Sequence, residues 1–316
     1  MTARITKTAS VPAFAAVATL TLASCASEDP TATTTAPGTD TESADGTVKI
    51  GTANFPESEI IGQIWAEALR EAGFDVEVTS GIGSREVYIT ALEEGSINLV
   101  PEYSGNLTQY FGELPAGADE DAVRDALKSA LPEELNAGDF APGESKDAYR
   151  VTKETAEKFN LVTIGDLDNL DTITIAAPPE FAERPYGPEG LTGVYGIDAS
   201  KITVTPISDG GGPLTVAALL EGTADAANIY TTSPALNDDG EEADLVTLED
   251  PENLIPPQNV LPLYRAGELP DGALDVINSV NAMLTTEDLV SMNLRNVGKE
   301  RAEPAQIAKE YVADRT

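Results

Sequence analysis

Apolar residues at Ile60, Ile61, Ile64, Trp65, Ala68 and Leu69 recur at alternating steps of three and four. That spacing predicts a helix with one buried face, which Ser58 can cap and Gly73 stops. Upstream, 48–53 reads as a buried strand leading into the turn Asn54-Phe55-Pro56-Glu57-Ser58. Downstream, 74–79 alternates as a second strand, 86–94 forms a short amphipathic helix ending at Gly95, and 97–100 is a third strand. Strands and helices alternating at this interval predict right-handed crossovers and a parallel sheet. A polar stretch near 142–147 then breaks the pattern. Beyond it, 153–160 and 214–220 are helical, with strand candidates at 172–177, 201–207, 226–230 and 244–248. Three helical patterns, around 273–284, 286–297 and 304–313, close the chain. The class is therefore α/β, with two units around a cleft, and ligands favour such interfaces and the carboxyl ends of parallel strands.

The amino-terminal pattern is of another kind. Arg4 and Lys7 precede an uncharged apolar stretch over 11–22, which ends Leu22-Ala23-Ser24-Cys25. A basic start followed by an apolar run too short to span a membrane comfortably is a secretory signal. Its end resembles the bacterial lipobox, in which the cysteine is lipidated and becomes the first mature residue. Residues 1–24 are then a lipoprotein signal peptide, and 25–46 the lipidated Cys25 with a disordered tether. Thr, Ala, Ser and acidic residues fill 26–46 without one large apolar side chain, too little to offset the entropy of ordering. No later run approaches the length of a membrane span. The expected location is extracytoplasmic, lipid-anchored to the cell membrane.

Composition narrows the chemistry. The 316 residues include 19 Lys+Arg against 54 Asp+Glu, no histidine and one cysteine, for a net charge of −35. Such an acidic chain is unsuited to nucleic acid, whose phosphates call for Lys and Arg. Without His there is no Ser-His-Asp or Cys-His catalysis and no imidazole metal site. One cysteine rules out an intramolecular disulfide or a thiolate zinc cluster. Carboxylate-pair hydrolysis passes this filter, with Glu57 and Glu102, or Asp147 and Asp209, as the conceivable pairs. Binding without chemistry also passes. Aromatic residues make up only 5% of the chain, so each tyrosine can be weighed singly.

Four segments carry a resemblance: Ile50-Gly51-Thr52-Ala53-Asn54-Phe55-Pro56-Glu57, Pro101-Glu102-Tyr103-Ser104-Gly105-Asn106, Asp147-Ala148-Tyr149 and Ile229-Tyr230-Thr231-Thr232. In order and spacing, together with the helix Lys153-Glu154-Thr155-Ala156-Glu157, they resemble the substrate-binding lipoproteins of ATP-driven importers for glycine betaine, choline and related quaternary amines. The resemblance runs from about Val48 to the carboxyl terminus. It implies a two-lobed, type II periplasmic-binding-protein (venus-flytrap) fold, with 48–147 plus 259–316 as lobe I and 148–258 as lobe II. The implied partners are a small quaternary-amine ligand, an ABC permease with its ATPase, and the membrane through the lipid anchor. The resemblance implies no cofactor, no metal and a monomeric protein.

Family members hold the trimethylammonium head among tyrosine faces, as suits a permanent cation whose methyl groups offer no N–H donors. The resemblance places Tyr103, Tyr149 and Tyr230 in that box and Arg184 on the ligand carboxylate, a contact its guanidinium fork is shaped to make. It sets Asp147 near the cation and Asn106 where the family has threonine. In Ile255-Pro256-Pro257-Gln258-Asn259, Gln258 stands where a fourth ring is expected, which leaves the box open on one side. Ala53 replaces a family lysine. These departures admit a different betaine, such as ergothioneine, or another polar solute as the alternative ligand. Two further stretches read as structural: Gly210-Gly211-Gly212 as a strand–helix turn, since no Gly-Lys-Ser/Thr follows, and Trp65 as core packing.

Overall fold

A computed structural model describes residues 46–315 apart from 116 and 238. The expected signal peptide, Cys25 and the expected tether as far as 45 lie outside the described residues.

The strands form two five-stranded sheets. In the first, the order is β2 (Val76–Thr79), β1 (Val48–Gly51), β3 (Leu99–Tyr103), β10 (Val260–Arg265) and β4 (Leu135–Ala137). In the second it is β7 (Ile202–Pro206), β6 (Ile173–Ala177), β8 (Ala226–Asn228), β5 (Tyr149–Thr152) and β9 (Leu245–Thr247). β1 pairs in parallel with β2 and β3, and β6 with β7 and β8, as the strand–helix alternation predicts. The sheets are nonetheless mixed rather than parallel. β10 runs antiparallel to β3 and β4, and β5 antiparallel to β8 and β9. Each of these strands follows directly on a passage of the chain from one sheet to the other, with no helix between, so nothing requires a parallel return. The two passages lie side by side: Ser145 N donates to Gln258 O at 3.0 Å, and Val260 N to Gly143 O at 3.1 Å.

The first sheet is covered on both faces. On one side α1 (Pro56–Glu71) buries Ile60, Ile61, Ile64, Trp65 and Leu69 with Ile277 of α8 (Ala273–Asn281), Leu289 of α9 (Thr286–Val297) and Ile307 of α10 (Pro304–Ala313). On the other lie Ile89 and Leu92 of α2 (Arg85–Glu93), Leu107 of α3 (Ser104–Phe111) and Leu127 of α4 (Glu120–Ala130). In the second sheet, α5 (Lys153–Phe159), the 3-10 turn Pro179–Glu183 and α6 (Pro188–Gly193) lie on one face, with Val151, Ile175, Phe181 and Leu191 in the core. α7 (Pro213–Leu220) covers the other with Val216 and Leu219. Among the described residues no helix is long and apolar enough to cross a membrane.

Two local details differ from expectation. α1 begins three residues earlier than predicted, because Pro56 occupies its first turn and needs no N–H partner there. Ser58 is therefore not its cap; its Oγ instead accepts from Ala53 N at 2.9 Å and ties the helix start to the end of β1. The sequence pattern also gave no hint of β10 as a strand. Its Pro262 lies opposite Pro101 in the ladder, a pairing that survives because facing residues at alternate antiparallel positions exchange no N–H bonds.

Candidate functional site

A cavity of about 120 Å³ lies between the sheets. Its walls come from the segments that follow β1, β3, β6, β7 and β8, so the carboxyl ends of the parallel strands converge on it.

Five of the seven ligand residues expected from the sequence line it: Tyr103, Asn106, Asp147, Arg184 and Tyr230. Tyr149 and Gln258 do not. Tyr149 is fully buried in the core of the second sheet. Its hydroxyl donates to Tyr186 O at 2.6 Å and its ring meets Phe181 edge-on at 5.9 Å. It thus braces Tyr186, which does line the cavity. Gln258 is also fully buried and exchanges two hydrogen bonds with Asn106. Asn106 N donates to Gln258 Oε1 at 3.0 Å, and Gln258 Nε2 to Asn106 Oδ1 at 2.6 Å. With its oxygen occupied, Asn106 turns Nδ2 toward Asp147 Oδ2 at 2.8 Å and the Tyr186 hydroxyl at 3.3 Å.

Asp147 is 4% exposed. Burial pushes its carboxyl above the usual carboxylate range, against the hydrogen bond from Asn106. Asn228 Nδ2 also faces it without reaching good hydrogen-bonding geometry. Among the described residues, no lysine or arginine is ion-paired with Asp147. The arginines of the cavity are taken elsewhere. Arg85 grips Glu102 with two bonds of 2.8 and 2.9 Å, and the Tyr88 hydroxyl and Tyr103 N complete that carboxylate. Arg184 Nη2 reaches Glu86 Oε1 of the facing α2 at 3.0 Å. Both positive charges are neutralised within the protein, and the buried Asp147 is left to face the cavity.

Around it stand aromatic faces. Phe55 lies between Tyr103 and Tyr230, with ring centroids 6.1 and 5.6 Å away. Burial and the neighbouring charges of Glu57 and Asp147, respectively, raise the hydroxyl pKa values of Tyr103 and Tyr230, so both rings remain neutral phenols. A buried carboxylate among neutral rings is suited to a desolvated cation, each ring contributing up to about 2 kcal/mol. Nothing in the arrangement resembles an acid–base pair. Glu102 is bound to Arg85, and Asp209 accepts from Leu214 N at 2.7 Å, Thr215 N at 3.1 Å and Thr215 Oγ1 at 2.6 Å at the start of α7. Among the described residues no group of three or more His, Cys, Asp or Glu could hold a metal ion.

The remaining structural expectations concern Trp65 and the triple glycine. Trp65 is fully buried in the core. Gly210-Gly211-Gly212 forms the turn from β7 into α7. Gly211 has φ +79°, and a Cβ there would come within 3.0 Å of Ile229 Cα, so only glycine lets the turn lie against the β8 strand end.

Phe55, Arg85, Tyr88 and Tyr186 line the site without having been singled out as ligand residues. Three had a readable signal. Arg85 and Tyr88 are three apart on a helix and therefore share a face, and Tyr186 is one of only nine tyrosines, two residues past Arg184.

The comparisons with known proteins agree with this geometry. The family model described as the substrate-binding domain of an ABC-type glycine betaine transport system matches residues 46–314. The glycine-betaine-binding protein of Pseudomonas aeruginosa is 25% identical over 283 residues, covering 85% of this chain and 88% of that protein. The glycine betaine-binding protein YehZ of Escherichia coli K12 is 25% identical over 278 residues, covering 84% and 89%. A crystal structure described as a glycine betaine/carnitine/choline ABC transporter superposes with a TM-score of 0.64 at 24% identity, covering 84% of this chain and 98% of that one. The two-lobed α/β fold is shared with it.

Proposed function

The chain belongs to the family of substrate-binding domains of ABC-type glycine betaine transport systems, and from that premise we propose that its cleft captures a quaternary-amine osmoprotectant and delivers it to a permease driven by an ATPase. Members of this family bind solutes outside the cytoplasm and are not enzymes. The single observation that carries the reading is Asp147, buried, without an ion pair among the described residues and bordered by the rings of Tyr103, Tyr186 and Tyr230. In this reading the rings and Asp147 hold the ammonium head, Asn106 orients Asp147, and Gln258 and Tyr149 act from behind as positioning residues.

Glycine betaine, choline and carnitine are the candidate solutes. Within them, the engagement of Arg85 by Glu102 and of Arg184 by Glu86 favours a cation without a carboxylate. Lobe I is taken as 48–147 plus 259–316 and lobe II as 148–258, a division supported by the membership of the two sheets. Cys25 carries the lipid and 26–46 the leash, and the protein works as a monomer.

The test is a thermal-shift screen of residues 47–316 against quaternary and tertiary amines, with amino acids as controls. A ligand at a hundred times its Kd stabilises by about 2.7 kcal/mol, so a clear rise is expected with choline or glycine betaine. No rise with any amine would sink the solute assignment. Anchoring is tested separately: Cys25→Ala should move the full chain from the membrane fraction to the soluble fraction.

A further inference from the structure

Behind the ring wall of the cleft is a second cavity of about 80 Å³. The two cavities share Phe55, Gly210 and Tyr230 as a common partition, with no side chain at Gly210 to thicken it. The second is largely apolar, with Leu236 and Val297 among its walls. One of its lining residues, Asn293, carries an unmet polar demand. Asn293 is 4% exposed, and its Nδ2 donates to Glu57 Oε2 at 2.6 Å and to Thr232 O at 3.1 Å. Those two acceptors fix which end of the amide is nitrogen. Asn293 Oδ1 is therefore left buried with no donor, a state that costs free energy until something fills it. The other oxygen of the Glu57 carboxylate accepts from the Tyr103 hydroxyl at 2.6 Å, so the orphaned acceptor is linked by two hydrogen bonds to a ring of the first cavity.

We propose that this second cavity is a subsite for the far end of the ligand. The substrate class is then a quaternary amine with an apolar arm that ends in a hydrogen-bond donor, such as a hydroxyl, the arm passing Phe55 to meet Asn293 Oδ1. This rests on the cation-binding reading of the first cavity and deepens it. A carboxylate at the end of the arm is disfavoured, because Glu57 is buried beside Asn293 and has no basic partner among the described residues. Phe55 is the gate. It is only half-buried, and its ring must turn from its contact with Tyr230 for the arm to pass.

The experiment is calorimetric titration of residues 47–316 with trimethylammonium alcohols of increasing chain length, choline being the shortest, beside the same series ended by methyl. Each buried methylene strengthens binding by roughly threefold to fourfold. Affinity should rise at least tenfold between choline and the long alcohols, and more for hydroxyl ends than for methyl ends. Val297→Phe fills the second cavity from α9 and leaves the first untouched, so it should abolish the gain with length and spare choline. Binding of choline with no gain at greater length, or an equal gain in Val297→Phe, overturns the subsite alone. Binding of no amine at all overturns the cation reading and the subsite with it.

Discussion

Asp147 is held in two opposing demands. Without ligand, burial favours its neutral form, so its contribution to stability is full below the ordinary carboxylate range. That contribution is lost as pH rises through its raised pKa. A bound cation favours the charged form, so affinity should rise with pH over the same window. Asp147→Asn retains an oxygen for the Asn106 bond and removes the charge. We expect it to raise the melting temperature of the ligand-free protein at neutral pH by a few degrees, since about 1 kcal/mol is worth ~2–4 °C in a domain of this size. It should weaken choline binding at least tenfold and flatten the pH dependence of affinity, as calorimetry across acid to neutral pH would show. An unchanged pH profile would remove Asp147 from the site. At this scale the sequence disclosed which residues gather at the cleft better than it disclosed which side of the wall each takes. Tyr149 and Gln258 lie one step behind the surface because their polar ends are satisfied by Tyr186 O and by Asn106. Pairings across 37 and 152 residues leave no trace in local spacing.

At the scale of elements, hydrophobic period located α1, α2, α5, α7 and the three closing helices, since each has an apolar face to bury. It missed α3 and α4, although Asp119 accepts from Ala122 N and acidic residues fill the first turn of α4. It missed β10 because proline argues against a central strand; Pro262 is tolerated where its pairing with Pro101 exchanges no N–H bonds. The turn into α7 depends on Asp209, whose carboxylate serves two backbone N–H groups and one hydroxyl. Asp209→Ala should cost about 1–2 kcal/mol, the usual effect of losing such a cap, as denaturant unfolding would show. Because Gly210 in that turn borders both cavities, choline affinity should fall as well. Stability lost with affinity intact would mean that the turn does not shape the site.

For the whole molecule, what matters is how the two halves meet. Glu86 of α2 and Arg184 beyond β6 join across the cleft, and Glu86 is 48% exposed. Such a pair contributes no more than ~1 kcal/mol to stability, but it occupies the guanidinium that a ligand carboxylate would otherwise take. Glu86→Gln should therefore raise the affinity for glycine betaine relative to choline by about threefold to tenfold, with little change in unfolding midpoint. Paired titrations of the two ligands at low and high salt would measure the ratio, and an unchanged ratio would mean that Arg184 does not contact the ligand. A family resemblance gave the two-lobed plan; the charge balance of the cleft needed coordinates, because ion pairs between distant segments are not written in either segment alone.

The position of β10 has a consequence for how the chain matures. All five strands of the second sheet lie between Tyr149 and Thr247, whereas the first sheet has β10 wedged between β3 and β4. Synthesis proceeds from the amino end, so the first sheet cannot close until residue 265 and the helices after it have been made. One half can condense early, while the other must wait for contacts that span most of the chain, the kind that form slowly. The half that holds the first strand is thus the last to become a finished object.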